Sequence, residues 1–127
     1  MALPRPIHRQ RAARVKLLGS VLALVRLDDG HQFRCRLHQL STNGGVLHVS
    51  DALQHGAFVQ LTFHVRSTTV RTAAEILPPM WATAGHLQPF RFTGLSEEQR
   101  SKLGEDLKFL LANGRINRFH AGPFRLD

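Results

Sequence analysis

The sequence predicts an all-β domain: a small six-stranded antiparallel barrel with a C-terminal α-helix at one end and a flexible basic arm at the N-terminus. Three observations carry this. Between Val21 and Thr93, apolar and polar residues alternate in short runs, the period of half-buried strands. Gly, Pro and Asp-Gly signals punctuate those runs at hairpin spacing. Beyond Ser96 the period becomes helical, with Leu103, Leu107, Leu110 and Leu111 on one face. A chain of 127 residues suits one core. The expected organisation is an arm over residues 1–14, the barrel and helix over 15–113, and a basic tail over 114–127.

The arm holds two prolines and Arg5, Arg9, Arg11 and Arg14, with no acid and almost no apolar periodicity. Val21, Ala23, Val25 and Leu27 then alternate as a first strand. Asp28-Asp29-Gly30 supplies a hairpin turn in which glycine takes positive φ. In the second strand Phe33, Cys35 and Leu37 point inward against Arg34, Arg36 and His38. Gln39-Leu-Ser-Thr-Asn-Gly44 is a polar bend, with Gly44 free to take positive φ, and residues 45–49 return as a third strand. Residues 57–65 alternate most strongly, after a turn at Gly56. The fifth strand, 68–77, ends at Pro78-Pro79, which donate no ladder bonds. Residues 80–86 are expected to be a loop whose Trp81 packs into the core. Residues 87–93 form an edge-like sixth strand, because Pro89 removes a donor. Ser96-Glu-Glu-Gln99 is a capping box, and Asn113-Gly114 a helix stop.

The net charge of +8 points to an anionic partner. Cys35 is the only cysteine, so an internal disulfide and a thiolate zinc site are excluded, and its position between Phe33 and Leu37 makes it a small buried residue. The eight histidines lack ligand spacing and are expected at the surface, so no metal site and no cofactor is predicted. No apolar run is long enough to span a bilayer, and no cleavable leader is evident, which makes the cytoplasm the expected location. Serine, cysteine and carboxylates form no catalytic set, so no enzyme activity is expected.

The motifs, taken in order, resemble the PilZ domain, a bacterial receptor module for cyclic di-GMP. That family opens on an RxxxR segment followed by an apolar residue, continues through an [D/N]xSxxG turn, and ends on a phrase like RFxGLSEEQR and a helix. Here the corresponding residues are His8-Arg-Gln-Arg-Ala-Ala-Arg14-Val15, Gln39-Leu-Ser41-Thr-Asn-Gly44, and Phe90-Arg-Phe-Thr-Gly-Leu-Ser-Glu-Glu-Gln-Arg100. Two positions depart from the pattern. Gln10 stands where the first arginine belongs, and Gln39 where the family has Asp or Asn. Reading Arg5 and Arg9 as the pair restores two arginines but loses the following apolar residue.

The resemblance implies a fold-on-binding clamp. Arg9, Arg11 and Arg14 would contact phosphate and guanine, as guanidinium does bidentately, while Gln39, Ser41 and Gly44 would form the rigid wall. The ligand would be cyclic di-GMP, and the signal would pass to an unidentified protein effector. Two other readings stand beside it. One is a degenerate domain acting only through protein contacts, for which Gln10 and Gln39 argue. The other is a basic barrel for nucleic acid, disfavoured because Phe33 and Phe63 face inward and no tyrosine is present.

Overall fold

The structure is a computed structural model and describes residues 14–17 and 21–120. Its elements are β1 (Val15–Lys16), β2 (Leu22–Arg26), β3 (Gln32–Leu40), β4 (Gly44–Val49), β5 (Phe58–Val65), β6 (Thr68–Ile76), β7 (Met80–Trp81), β8 (His86–Phe92) and α1 (Glu97–His120). All pairings are antiparallel. The order β3-β2-β5-β6-β8-β4 returns to β3, closing the expected six-stranded barrel, with β1 and β7 as two short additions.

Closure follows from the alternation. In β2, β5 and β6 every second residue is buried, so one face must find apolar company, and a closed sheet supplies it without leaving edges. Ala23, Val25, Leu37, Leu61, Val70 and Ile76 are fully enclosed. Phe63 stacks on Phe92 at 6.2 Å, and Phe90 meets Phe92 edge-on at 5.4 Å. Leu103 and Leu107 of α1 join this core, each side chain worth about 1.5–3 kcal/mol when buried. Of the other expected docking leucines, Leu110 is half-buried and Leu111 is exposed.

The turn chemistry matches its residues. Gly30 has φ +95°, and the Asp29 carboxylate accepts the His31 N–H at 3.0 Å. Gly56 also lies at positive φ, before β5. The capping box is formed: the Gln99 N–H donates to Ser96 Oγ at 3.1 Å, and the Ser96 N–H reaches Gln99 Oε1 at 3.4 Å. Cys35 is buried, and burial pushes its thiol up to about 11, so it stays protonated and unreactive.

Four expectations are corrected. Residues 80–86 are not simply a loop, since Met80 and Trp81 pair with Leu87 and His86. Trp81 is 92% exposed, not core, because this two-residue strand lies at the sheet's rim with nothing packed over it. Helix α1 continues through Gly114 to His120; an interior glycine costs about 1 kcal/mol relative to alanine, which weakens a helix without stopping it.

The last correction is that β8 is not an edge. It pairs with β4 along one side, and with β6 and then β7 along the other. Pro89 falls at the handover between β6 and β7, opposite Leu77. The Leu77 N–H donates to the Pro89 carbonyl at 2.9 Å, but proline cannot return the bond. The fully buried Gln88 supplies the missing donor, its Nε2 reaching the Leu77 carbonyl at 2.8 Å. Gln88 Oε1 also accepts the Leu53 N–H at 2.6 Å, pinning the loop before β5.

Candidate functional site

The arm meets the turn through a strand pairing. Val15 pairs with Leu40 and Lys16 with Gln39, so β1 lies along the same edge of β3 that β2 occupies further back. Leu17 extends the pairing, its N–H donating to the His38 carbonyl at 3.0 Å. Continuing this register puts Arg14, which is exposed, opposite Ser41. Of the expected site residues, Arg14, Gln39, Ser41 and Gly44 are therefore gathered at one end of the barrel. Arg9 and Arg11 lie outside the described residues.

Within the turn, Ser41 is 5% exposed and its hydroxyl is engaged locally. It donates to the Gly44 carbonyl and accepts the Asn43 N–H, each at 3.1 Å. The Ser41 N–H donates to the same carbonyl at 2.7 Å. One lone pair is left over, so this hydroxyl mainly builds the bend.

Gly44 differs from the expectation. The positive-φ glycines among the described residues are Gly30, Gly56 and Gly85. Gly44 is required instead by close approach: a Cβ there would sit 2.1 Å from the Phe90 carbonyl oxygen and 2.9 Å from the Arg91 Cα. Gly45 is crowded in the same way, with the Gln39 carbonyl oxygen 2.3 Å from its would-be Cβ. The two glycines let β3, β4 and β8 converge behind the turn.

Two contributors, Arg100 and His38, escaped the sequence reading, while Lys16 belongs to the basic N-terminal cluster already expected there. Arg100 of α1 donates from Nη1 to the Thr42 carbonyl, and to Asn43 Oδ1 at 3.2 Å, clamping the turn from outside. It belongs to the RFTGLSEEQR phrase, which gives family likeness but no role for each residue. Lys16 is the cross-strand neighbour of Gln39. His38 is an irregularity in β3: the register with β4 shifts between Leu37 and Gln39, so His38 is the extra residue of a bulge. Burial holds its pKa below the ordinary imidazole range, and the charges of Lys16, Arg36 and His48 push the same way. Among the described residues, every charged neighbour that shifts it is basic. The root of the arm thus gathers positive charge, which suits phosphate.

The far side of α1 is held separately. The buried Asp106 accepts from Thr68 Oγ1, from Ser67 Oγ at 3.2 Å and from Arg66 Nη1 at 3.1 Å, and Arg66 lies 3.6 Å over the Phe109 ring. Burial raises the Asp106 pKa, but these hydrogen bonds outweigh it and hold the carboxyl below its ordinary value. Among the described residues, no three histidines, cysteines or carboxylates cluster closely enough to hold a metal ion. No helix among them is long and apolar enough to cross a membrane.

The family model for the PilZ domain matches residues 8–109. No curated protein matches the chain. Among solved structures, YcgR of Escherichia coli in complex with cyclic di-GMP superposes with a TM-score of 0.77 at 20% identity, over 90% of this chain and 51% of that one. The PilZ domain of YcgR with cyclic di-GMP gives 0.68 at 20% identity, over 85% and 95%. The K. pneumonia MrkH–cyclic di-GMP complex gives 0.66 at 13% identity, over 84% and 53%. The chain therefore spans about half the length of the longer YcgR and MrkH chains, and matches nearly all of the isolated YcgR domain. At these identities the likeness establishes the fold.

Proposed function

The chain belongs to the PilZ domain family, and from that premise we propose that it is a cyclic di-GMP receptor whose arginine arm closes over the Gln39–Gly44 turn. PilZ domains are receptors for this nucleotide and not enzymes. The observation that carries the proposal is the β1–β3 pairing, which seats the root of the arm beside the turn, where, among the described residues, the charged groups that shift His38 are all basic. Arg14, with Arg9 and Arg11 further along the arm, would bind phosphate and guanine. The Gln39 amide would meet the guanine edge. Ser41 and Gly44 serve by holding the wall in shape, while Arg100 and Lys16 brace it. Ordering the arm at the moment of binding changes the surface offered to a cytoplasmic protein partner.

Titration calorimetry on the full chain tests this. Saturable heat with cyclic di-GMP is expected. Its absence at high micromolar nucleotide, with circular dichroism showing an intact barrel, would overturn the reading and favour a domain that works through protein contacts alone. Gln39, in place of Asp or Asn, and Gln10, in place of Arg, are what favour that second reading.

A further inference from the structure

We infer that the outer face of the β3-β2-β5-β6 sheet is a docking surface for an acidic amphipathic helix of a partner protein. Three large apolar side chains stand out from this face: Leu22 is 50% exposed, Leu24 37% and Phe58 58%. Four arginines surround them, Arg26 on β2, Arg34 and Arg36 on β3, and Arg71 on β6, all exposed. Among the described residues none of the four has a carboxylate partner; the ion pairs there join Asp29 to His31, Asp106 to Arg66, and Glu75 to Arg91. Glu75, already held by Arg91, is the one acid that the four strands turn outward. Asp28 lies beyond the sheet, in the β2–β3 turn.

The register fixes the arrangement. Leu24 is opposite Arg34 on one side and Thr62 on the other, and Thr62 is opposite Arg71. One row across the sheet therefore reads Arg34, Leu24, Thr62, Arg71. At about 4.8 Å per strand, the two arginine Cα atoms bracket roughly 14 Å. An α-helix is about 10–12 Å across, so it fits between Arg34 and Arg36 on β3 and Arg71 on β6, with its apolar stripe on Leu22 and Leu24, its acidic flanks on those guanidinium groups, and Arg26 at the end of the stripe. A shallow cleft of about 310 Å³ lined by Leu24, Arg26, Thr62 and Arg71 lies along this track.

Charge selects the occupant. A second copy of this chain, paired face to face, would oppose arginines to arginines. Nucleic acid would satisfy the arginines but leave Leu22 and Leu24 uncovered, and Phe58 alone is no stacking platform. An acidic helix answers both features. Arg36 also borders the root of the arm, but the row Arg34, Leu24, Thr62 and Arg71 lies further along the strands, so the inference, read at that row, does not depend on nucleotide binding.

The test places a photo-reactive amino acid at Leu24 of the full chain in its native cells. One polypeptide adduct is expected, its crosslinked peptide carrying carboxylates beside an apolar stripe at helical spacing. The double variant Arg34→Glu/Arg71→Glu should cut the yield at least tenfold, and exchanging two of the partner's carboxylates for lysine should restore it. Circular dichroism and nucleotide calorimetry on the variant separate this loss from misfolding or a failed ligand site. Should the glutamates unsettle the sheet, Arg34→Gln/Arg71→Gln should still lower the yield severalfold. The inference is overturned by an adduct with nucleic acid, lipid or a second copy, by no adduct, by undiminished yield in a folded variant, or by failure of the charge exchange.

Discussion

Gly44→Ala is expected to destabilise the barrel although it adds a single methyl group. The new Cβ would lie 2.1 Å from the Phe90 carbonyl oxygen and 2.9 Å from the Arg91 Cα. Both are backbone atoms of β8, so no side chain can swing aside. Strand β4 must instead retreat by about an ångström from a ladder that pairs Gly44 with Arg91 and Gly45 with Phe90, and in which the Phe92 N–H donates to the Asn43 carbonyl at 2.9 Å. Overpacking of this kind costs about 1–3 kcal/mol, and the rigid neighbours place Gly44 at the upper end. The alanine recovers about 0.5–1 kcal/mol of unfolded-state entropy, leaving a net loss of about 2 kcal/mol. At about 4 °C per kcal/mol for a domain of this size, Tm should fall by about 8 °C. Urea unfolding with an unchanged m-value is the assay. Gly30, at φ +95° with nothing within 4 Å of its would-be Cβ, is the control. There asparagine should be milder than alanine, because it tolerates positive φ, whereas at Gly44 asparagine should be no milder. A Gly44→Ala protein within 0.5 kcal/mol of wild type, or one rescued by asparagine, would refute the close-approach account.

Gln88→Leu keeps the volume but strands the Leu53 N–H and the Leu77 carbonyl, so urea unfolding should show a loss of about 3 kcal/mol. Asp106→Asn should cost about 2 kcal/mol at neutral pH. Because the folded Asp106 pKa is depressed, its stabilisation is complete above the unfolded value of 3.8 and disappears as pH falls through the lower folded value; wild type and variant should converge there in acid melts. A bound phosphate should raise the His38 pKa, so nucleotide binding should take up protons and tighten as pH falls through the imidazole range. Calorimetry in buffers of different ionisation enthalpy reads this. Gln39→Asp should widen the preference for cyclic di-GMP over cyclic di-AMP more than it raises affinity, as paired titrations would show.

The sequence displays most of the barrel where a strand has one wet face. In β2, β5 and β6 the burial alternates as the polar and apolar residues do, and the hairpin at Gly30 and the capping box at Ser96 depend only on local chemistry. Legibility fails where the environment is set from far away. Five of the six residues of β4 are buried, so that strand shows no alternation. Trp81 is large and apolar wherever it stands, and only the rim position of β7 makes it exposed. Gly44 looks like a bend glycine, yet its constraint comes from β8, far along the chain. Arg100 reads as an ordinary helix residue until α1 is seen lying against the turn. The candidate site is legible as a set of motifs, but the division of labour within it is not: Ser41 and Gly44 shape the turn, and in the proposed site the charge would come from Arg14, Lys16 and Arg36.

That division gives Gln39 a physical meaning. A carboxylate at this position would accept from the guanine N1–H and N2–H₂ edge, a charge-assisted pair of hydrogen bonds worth about 1.5–3 kcal/mol each when well made. It would also sit across from Lys16 and beside His38, which feels the charges of Lys16 and Arg36, and would cancel part of the field of those two cations. A neutral amide forfeits the charge-assisted contact but leaves that field intact for the ligand's phosphates. A unit charge about 7 Å away contributes about 2 kcal/mol at an effective dielectric near 20, and less once salt screens it. The two effects are of similar size and opposite sign. On the proposed reading, glutamine in place of the carboxylate would therefore change what the site reads more than how tightly it holds: base recognition would weaken, phosphate attraction would persist, and the burden of distinguishing guanine would pass to the arginines of the arm.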